Sequence, residues 1–121
     1  MKRIFISMPM AGKSQLGIES ERNRIIEWCQ REWIGEDLVF APLMSEFEAK
    51  ANPPVRCLGW SIQQLGMADI VIFSPDWEKT RGCKVEHLIC ELYDRPYIDL
   101  GHTDNPDMVY AVRSRSAGSE E

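Results

Sequence analysis

Residues 68–92, ADIVIFSPDWEKTRGCKVEHLICEL, confine the fold of this chain more than any other stretch. Asp69 leads into a short apolar run, Ile70, Val71, Ile72 and Phe73. A polar loop with Pro75, Asp76 and Trp77 follows. Gly82 then opens a segment whose apolar residues fall at Val85, Leu88, Ile89 and Leu92. The first run has the length and β-branched content of a buried strand, and the second has helical spacing, so the pattern is strand, loop, helix. The spacing predicts that Val85, Leu88, Ile89 and Leu92 turn toward a core. Glu86 is one residue, about 100° of turn, off that stripe. Its carboxylate is therefore expected near the strand's carboxyl end, beside the helix N-terminus. Ligands of open parallel α/β sheets bind at that edge. A glycine there lets a ligand approach the backbone, and the free N–H groups attract anions.

The rest of the chain repeats this alternation. Residues 3–8, RIFISM, read as a buried first strand. Residues 9–14 form a turn-rich loop. Ile18, Arg22, Ile25, Ile26, Cys29 and Trp33 mark a helix over residues 18–33, with the Arg22 stem covering one position of its stripe and Gly35 ending it. A brief second strand, residues 38–40, is closed by Pro42. Residues 44–51 can make one or two helical turns, which Asn52-Pro53-Pro54 stops before starting the next helix. Val55, Leu58, Ile62 and Leu65 give that helix its stripe, up to about Met67. Residues 96–100, PYIDL, read as a fourth strand, placed near an edge by Pro96. Beyond Gly101 the periodicity fades. Residues 108–113 are expected to form a short helix or a partner-contacting arm, and residues 114–121, SRSAGSEE, to be disordered. The order implies an α/β domain over residues 1–101 with a C-terminal arm over 102–121. It predicts three layers, with helices on both faces of a doubly wound parallel sheet of four to five strands. So small a sheet favours a homodimer or higher homo-oligomer that covers an edge.

Composition narrows the function classes. With 121 residues, 44% of them hydrophobic and 27% charged, the chain makes one globular domain. A net charge of -5 argues against a nucleic-acid polymer as partner, though one local pocket can still hold a nucleotide. No apolar run approaches about 18 residues, so no membrane association is expected. Lys2 and Arg3 precede a strand-length run without a cleavage pattern. Cys29, Cys57, Cys83 and Cys90 are spread without a CxxC pair and read as reduced thiols of a cytoplasmic protein, with no metal site. His87 and His102 are lone histidines without an assigned role, and no cofactor is expected.

Four motifs carry possible chemistry. The loop Ser7, Met8, Pro9, Met10, Ala11, Gly12, Lys13, Ser14 resembles GxxxxGK[ST] after a strand. Ser7 replaces the first glycine, and Pro9 removes one N–H that would cradle phosphate. No aspartate directly follows Phe73 to hold magnesium. A phosphotransferase is therefore the weakest reading, behind a structural turn or a loop closing over another ligand through Ser7, Met8, Pro9, Met10 and Gly12. The second motif, residues 80–86 (TRGCKVE), is either a helix start capped by Thr80 with Glu86 in solvent, or a functional site. In the latter the Thr80 hydroxyl and the Gly82 N–H bind an anion or hydroxyl, and Glu86 serves as nucleophile or general base. The third, Asp76-Trp77, either stacks and bonds a base or is a turn whose Trp packs on the core rim. The fourth, Trp60-Ser61, is a pocket contact or a helix with a partly buried serine bonded to its own backbone.

Together, RIFISMPMAG, MADIVIF and DWxxTRGCxxE before a helix resemble the nucleoside 2-deoxyribosyltransferase superfamily, over about residues 2–100. The resemblance implies a flavodoxin-like sheet and dimers or larger oligomers. It also implies that Glu86 attacks C1′ of a 2′-deoxyribonucleoside and expels the base. In that family the residue six before the glutamate contacts the sugar's 5′ end, an aspartate for free nucleosides and a serine for nucleoside 5′-monophosphates. Thr80 resembles the second kind. The family usually carries an aspartate eight residues before the strand-opening aspartate, where this chain has Ser61. Either Asp76 substitutes for it from another direction, or the protein binds a nucleotide without cleaving it or acts on another N-glycoside. The substrate implied is a nucleoside or nucleoside 5′-monophosphate.

Overall fold

The computed structural model describes residues 1–102 and 109–115. The elements alternate as expected. Strand β1 (Lys2–Ser7) leads to helix α1 (Gln15–Glu32), and β2 (Leu38–Phe40) to the short α2 (Glu46–Ala51) and to α3 (Pro54–Gly66). Strand β3 (Ile70–Phe73) is followed by a 3-10 turn (Trp77–Lys79) and α4 (Arg81–Leu92), and the chain ends in β4 (Tyr97–His102) and β5 (Val109–Arg115). The helix starts follow local chemistry. Ser14 and Ser45 cap α1 and α2 by accepting from Gly17 N and Glu48 N, and Pro54 opens α3 where its missing N–H costs nothing.

The strands form one sheet in the order β2-β1-β3-β4-β5. The first four are mutually parallel, giving the doubly wound, three-layer α/β arrangement consistent with a flavodoxin-like fold. On β1 and β3, residues alternate between the two faces. Ile4, Ile6 and Ile72 join Ile18, Ile25, Trp28 and Cys29 of α1 in one core. Phe5, Val71 and Phe73 join Leu65, Ala68, Cys90 and Tyr97 in the other. Both faces are covered, which is why these strands read as continuous apolar runs. The strand order reverses between β1 and β3, and a cleft opens at their carboxyl ends.

Three expectations are corrected. Val109–Arg115 is neither a helix nor a free arm: it pairs antiparallel with β4, so Ser114 and Arg115 are strand residues. The expected disorder of 116–121 and the start of the expected helix at Met108 lie outside the described residues. β4 is therefore interior, and Pro96 sits just before it, where its carbonyl accepts from Val71 N at 3.0 Å and no N–H is required. Most of the α4 stripe faces outward: Val85, Leu88 and Leu92 are 38%, 55% and 68% exposed, and of the four expected residues Ile89 alone packs against the core, while Cys83, Glu86, His87 and Cys90 are buried. The sheet beneath explains this reversal. Ser7 on β1 and Asp99 on β4 present polar groups to that layer, and Glu86 and His87 meet them. Among the described residues, no helix is long and apolar enough to cross a membrane.

Phe73 is fully buried between β3's neighbours and the aromatic rings of Trp77, His87 and Tyr97. Phe73→Ala is expected to cost about 3–5 kcal/mol of unfolding free energy. Leu16→Ala, at an exposed position, is expected to stay within about 0.5 kcal/mol. Urea midpoints at constant m-value check both.

Candidate active site

The cleft at the switch point is a cavity of about 480 Å³, within the range of small-molecule sites. Its floor is the end of β1, its sides are the loop after β1 and the starts of α2, α3 and α4. Glu86 reaches it from the inner face of α4, only 6% exposed, and accepts a hydrogen bond of 2.6 Å from Ser7 Oγ. Burial raises the Glu86 carboxyl to about 7, the Ser7 hydrogen bond pulling the other way. Near neutral pH the group is therefore shared between its acid and its carboxylate form. That range suits proton transfer, and it leaves a substantial fraction as a nucleophile.

Cations line other parts of the same cavity. Lys13, Arg22, Lys50 and Arg81 line the cavity, against the acids Glu46 and Glu86. Two of the cations are tied: Lys13 Nζ to the buried Glu21 at 3.0 Å, and Lys50 to Glu46 at 3.1 Å. Arg22 donates through Nη2 to the Ala41 carbonyl at 2.9 Å, and burial lowers its pKa from the ordinary value, though a guanidinium stays charged. In a chain of net charge -5, the described wall of this cavity thus carries four cations against two acids. The start of α4 adds to the positive field. Thr80 occupies the N-cap position, yet its hydroxyl makes no capping bond, and Oγ1 is buried without a hydrogen-bond partner of normal geometry. The first N–H groups of the helix are therefore not capped by Thr80, beside Arg81 and Gly82 on the cavity wall. The Cys83 thiol is buried close by. Desolvation raises its pKa, the Ser7 and Thr80 hydroxyls and Lys13 oppose the rise, and Glu86 adds to it.

The expected site residues divide accordingly. Ser7, Met8, Met10, Ser61, Thr80, Gly82 and Glu86 all line the cavity. Pro9 and Gly12 do not: Gly12 takes φ +77° to turn the loop, and Ser14 is committed to capping α1. Lys13 of the same loop does line the cavity, with its Nζ paired to Glu21. Asp76 and Trp77 are also outside it, which corrects their expected place beside the pocket. Trp77 stacks on His87 at 3.8 Å between ring centroids, and Asp76 sits at the exposed start of the 3-10 turn, 3.5 Å from Lys79 Nζ. The unassigned His87 is a buried structural residue, with Nε2 3.1 Å from Asp99 Oδ1. Reading the sequence also missed Arg22, Arg81 and Cys83 as wall residues. The signal for Arg22 was a cation within an apolar helix stripe. Comparison of the chain with protein-family models, curated proteins and solved structures finds no match.

The Glu86 shift has a consequence for stability. A carboxyl with a folded pKa above its ordinary 4.5 keeps its proton in the native state after the unfolded chain has released it. Native stability therefore falls as pH rises from about 4.5 through about 7, by roughly 3 kcal/mol in total from this group. Glu86→Gln is expected to remove that decline. Urea unfolding of both proteins at the two ends of this window checks it.

Proposed function

We propose that this protein cleaves the N-glycosidic bond of a 2′-deoxyribonucleoside 5′-monophosphate through Glu86. The observation that carries the reading is a buried, singly hydrogen-bonded carboxyl facing a cavity whose other charged groups are mostly cationic. The 5′-phosphate binds the N–H groups at the start of α4, which Thr80 does not cap, with Arg81 and the Thr80 hydroxyl. The apolar wall, including Met8, Met10, Leu58 and Trp60, takes the base and one face of the sugar. The resemblance to nucleoside 2-deoxyribosyltransferases supports the same assignment of Glu86 and Thr80.

In the reaction, a Glu86 carboxylate oxygen forms a bond to C1′ as the C1′–N bond breaks, and the bonding pair leaves with the base. Positive charge that develops on the sugar is matched by the carboxylate, so the anionic form is favoured as the barrier is climbed. Ser7 holds the carboxyl in place before attack. Water then opens the glycosyl ester in a hydrolase, and a second base opens it in a transferase. Ser61 cannot supply a proton to the departing base as a carboxylic acid would, and Asp76 is not among the residues lining the cavity, so the base takes its proton from water.

A second reading is a nucleotide sensor without catalysis, on a fold with no second deep carboxyl among the described cavity residues. Ser61 favours it. Nucleotide-induced thermal stabilisation without base release would select the sensor.

Chromatography of a panel of deoxynucleoside 5′-monophosphates incubated with the protein is expected to show free base, and Glu86→Gln to abolish it. With Glu86 as nucleophile, kcat/KM is expected to rise with pH and level off above about 7. Arg81→Ala is expected to weaken nucleotide binding about tenfold or more while leaving the free nucleoside nearly unaffected, as read by titration calorimetry.

A further inference from the structure

One cation of the cavity wall has no acid to answer it. Arg22 lies on α1 between the buried Ile18 and Ile25, and its own side chain is half-buried. It reaches the cavity beside the end of β2, where Nη2 donates to the Ala41 carbonyl at 2.9 Å. Lys13 and Lys50 on the same wall have carboxylate partners at 3.0 and 3.1 Å, while among the described residues Arg22 has none. Burial lowers its pKa, and no neighbouring acid offsets the fall. A guanidinium desolvated against one neutral carbonyl keeps a cost that acceptors on a ligand can offset.

The sheet order says which part of a ligand meets it. In the order β2-β1-β3, the end of β2 and the start of α4, reached from β3, lie on either side of β1. Ser7 at the end of β1 holds Glu86 between them. Neighbouring strands are about 4.8 Å apart, so the two flanking strands are separated by about 10 Å. A nucleotide with C1′ at Glu86 and its phosphate at the start of α4 therefore directs its base toward Ala41 and Arg22. The guanidinium offers that base donors and no acceptor. One N–H is committed to Ala41, and the others suit two adjacent acceptors in a plane. O6 and N7 of a 6-oxopurine form such a pair, whereas adenine puts an amino donor in the place of O6.

We propose that Arg22 reads O6 and N7 of the base, which makes 6-oxopurine deoxynucleoside 5′-monophosphates the preferred substrates, and that it stabilises the base as it departs. This rests on the reading of Glu86 as the group that attacks C1′. As the C1′–N9 bond breaks, its electron pair stays with the base and spreads over the ring nitrogens and O6. Arg22 keeps its protons and answers that charge through its hydrogen bonds, and water protonates the base afterwards. It does by charge what a carboxylic acid in place of Ser61 would do by proton transfer.

Deoxyinosine and deoxyadenosine 5′-monophosphates differ only in the group at C6 and the proton on N1, so this pair tests the proposal. In titration calorimetry of Glu86→Gln protein, where no base is released, the inosine nucleotide is expected to bind about tenfold or more tighter. With Glu86 intact, the preference in kcat/KM is expected to exceed that in binding, because charge on the base grows toward the transition state. Arg22→Met is expected to bring both preferences to within about twofold, chiefly by loss on the inosine nucleotide. A merely structural role would lower the two nucleotides alike. Arg22→Lys keeps the stem and the charge, and is expected to lose most of the preference too, because one ammonium cannot make the fork. Equal binding of the two nucleotides overturns the proposal, as does a preference that survives both variants, and base release by wild type then leaves the Glu86 reading standing. An Arg22-dependent binding preference without base release overturns the Glu86 chemistry and supports the recognition. Absence of binding by either nucleotide overturns both.

Discussion

The hydrogen bond from Ser7 to Glu86 joins residues 79 positions apart and fixes how α4 lies on the sheet. An ionised carboxylate in an apolar layer costs several kcal/mol unless it is neutralised or bonded. Here the cost is met in two ways: the carboxyl keeps its proton up to about pH 7, and the Ser7 hydroxyl donates to it. One turn of the same helix solves the problem a second time, with His87 against Asp99 and under the Trp77 ring. Two adjacent polar side chains with matched partners on β1 and β4 outweigh a better apolar stripe on the opposite side. The rotation of α4 follows from that match.

The same rotation fills the cleft with chemistry. Had Val85 and Leu88 faced the sheet, Glu86 would lie at the helix flank and the switch point would be lined by aliphatic groups. Instead the carboxyl, the Cys83 thiol and the buried Thr80 hydroxyl converge at the start of one helix. The cations at Lys13, Arg22 and Arg81 are held by unrelated elements. Lys13 is tied by Glu21 across α1, Arg22 by the carbonyl after β2, and Arg81 by its place at the start of α4.

Element order was legible because apolar runs on β1 and β3 are buried on both faces, and because Ser14, Ser45 and Pro54 punctuate helix starts. The position of Glu86 beside the strand's carboxyl end was legible from spacing. The facing of α4 was not, since a stripe reports that one side differs from the other and not which side meets the sheet. Strand β5 was hidden for a related reason. Its pairing with β4 is through backbone groups and needs no alternation that a sequence would display. Pro96 misled in the same way, as a proline just outside a strand reads like one at an edge. Trp77 read as a base platform because a loop aromatic beside a cleft and one stacked on a buried histidine have the same local sequence.

One helix therefore meets two demands that conflict when read from its sequence. Its inner face must be polar enough to hold a titrating carboxyl over the cavity, and each polar group there needs a partner on the sheet. The apolar residues that α4 still carries are then placed outward, where water makes them costly unless another surface covers them. A solvated helix with so polar an inner face could have had Lys or Glu at positions 85, 88 and 92 at no cost to its packing on the sheet. The retention of Val85, Leu88 and Leu92 there is a cost that the isolated fold does not explain.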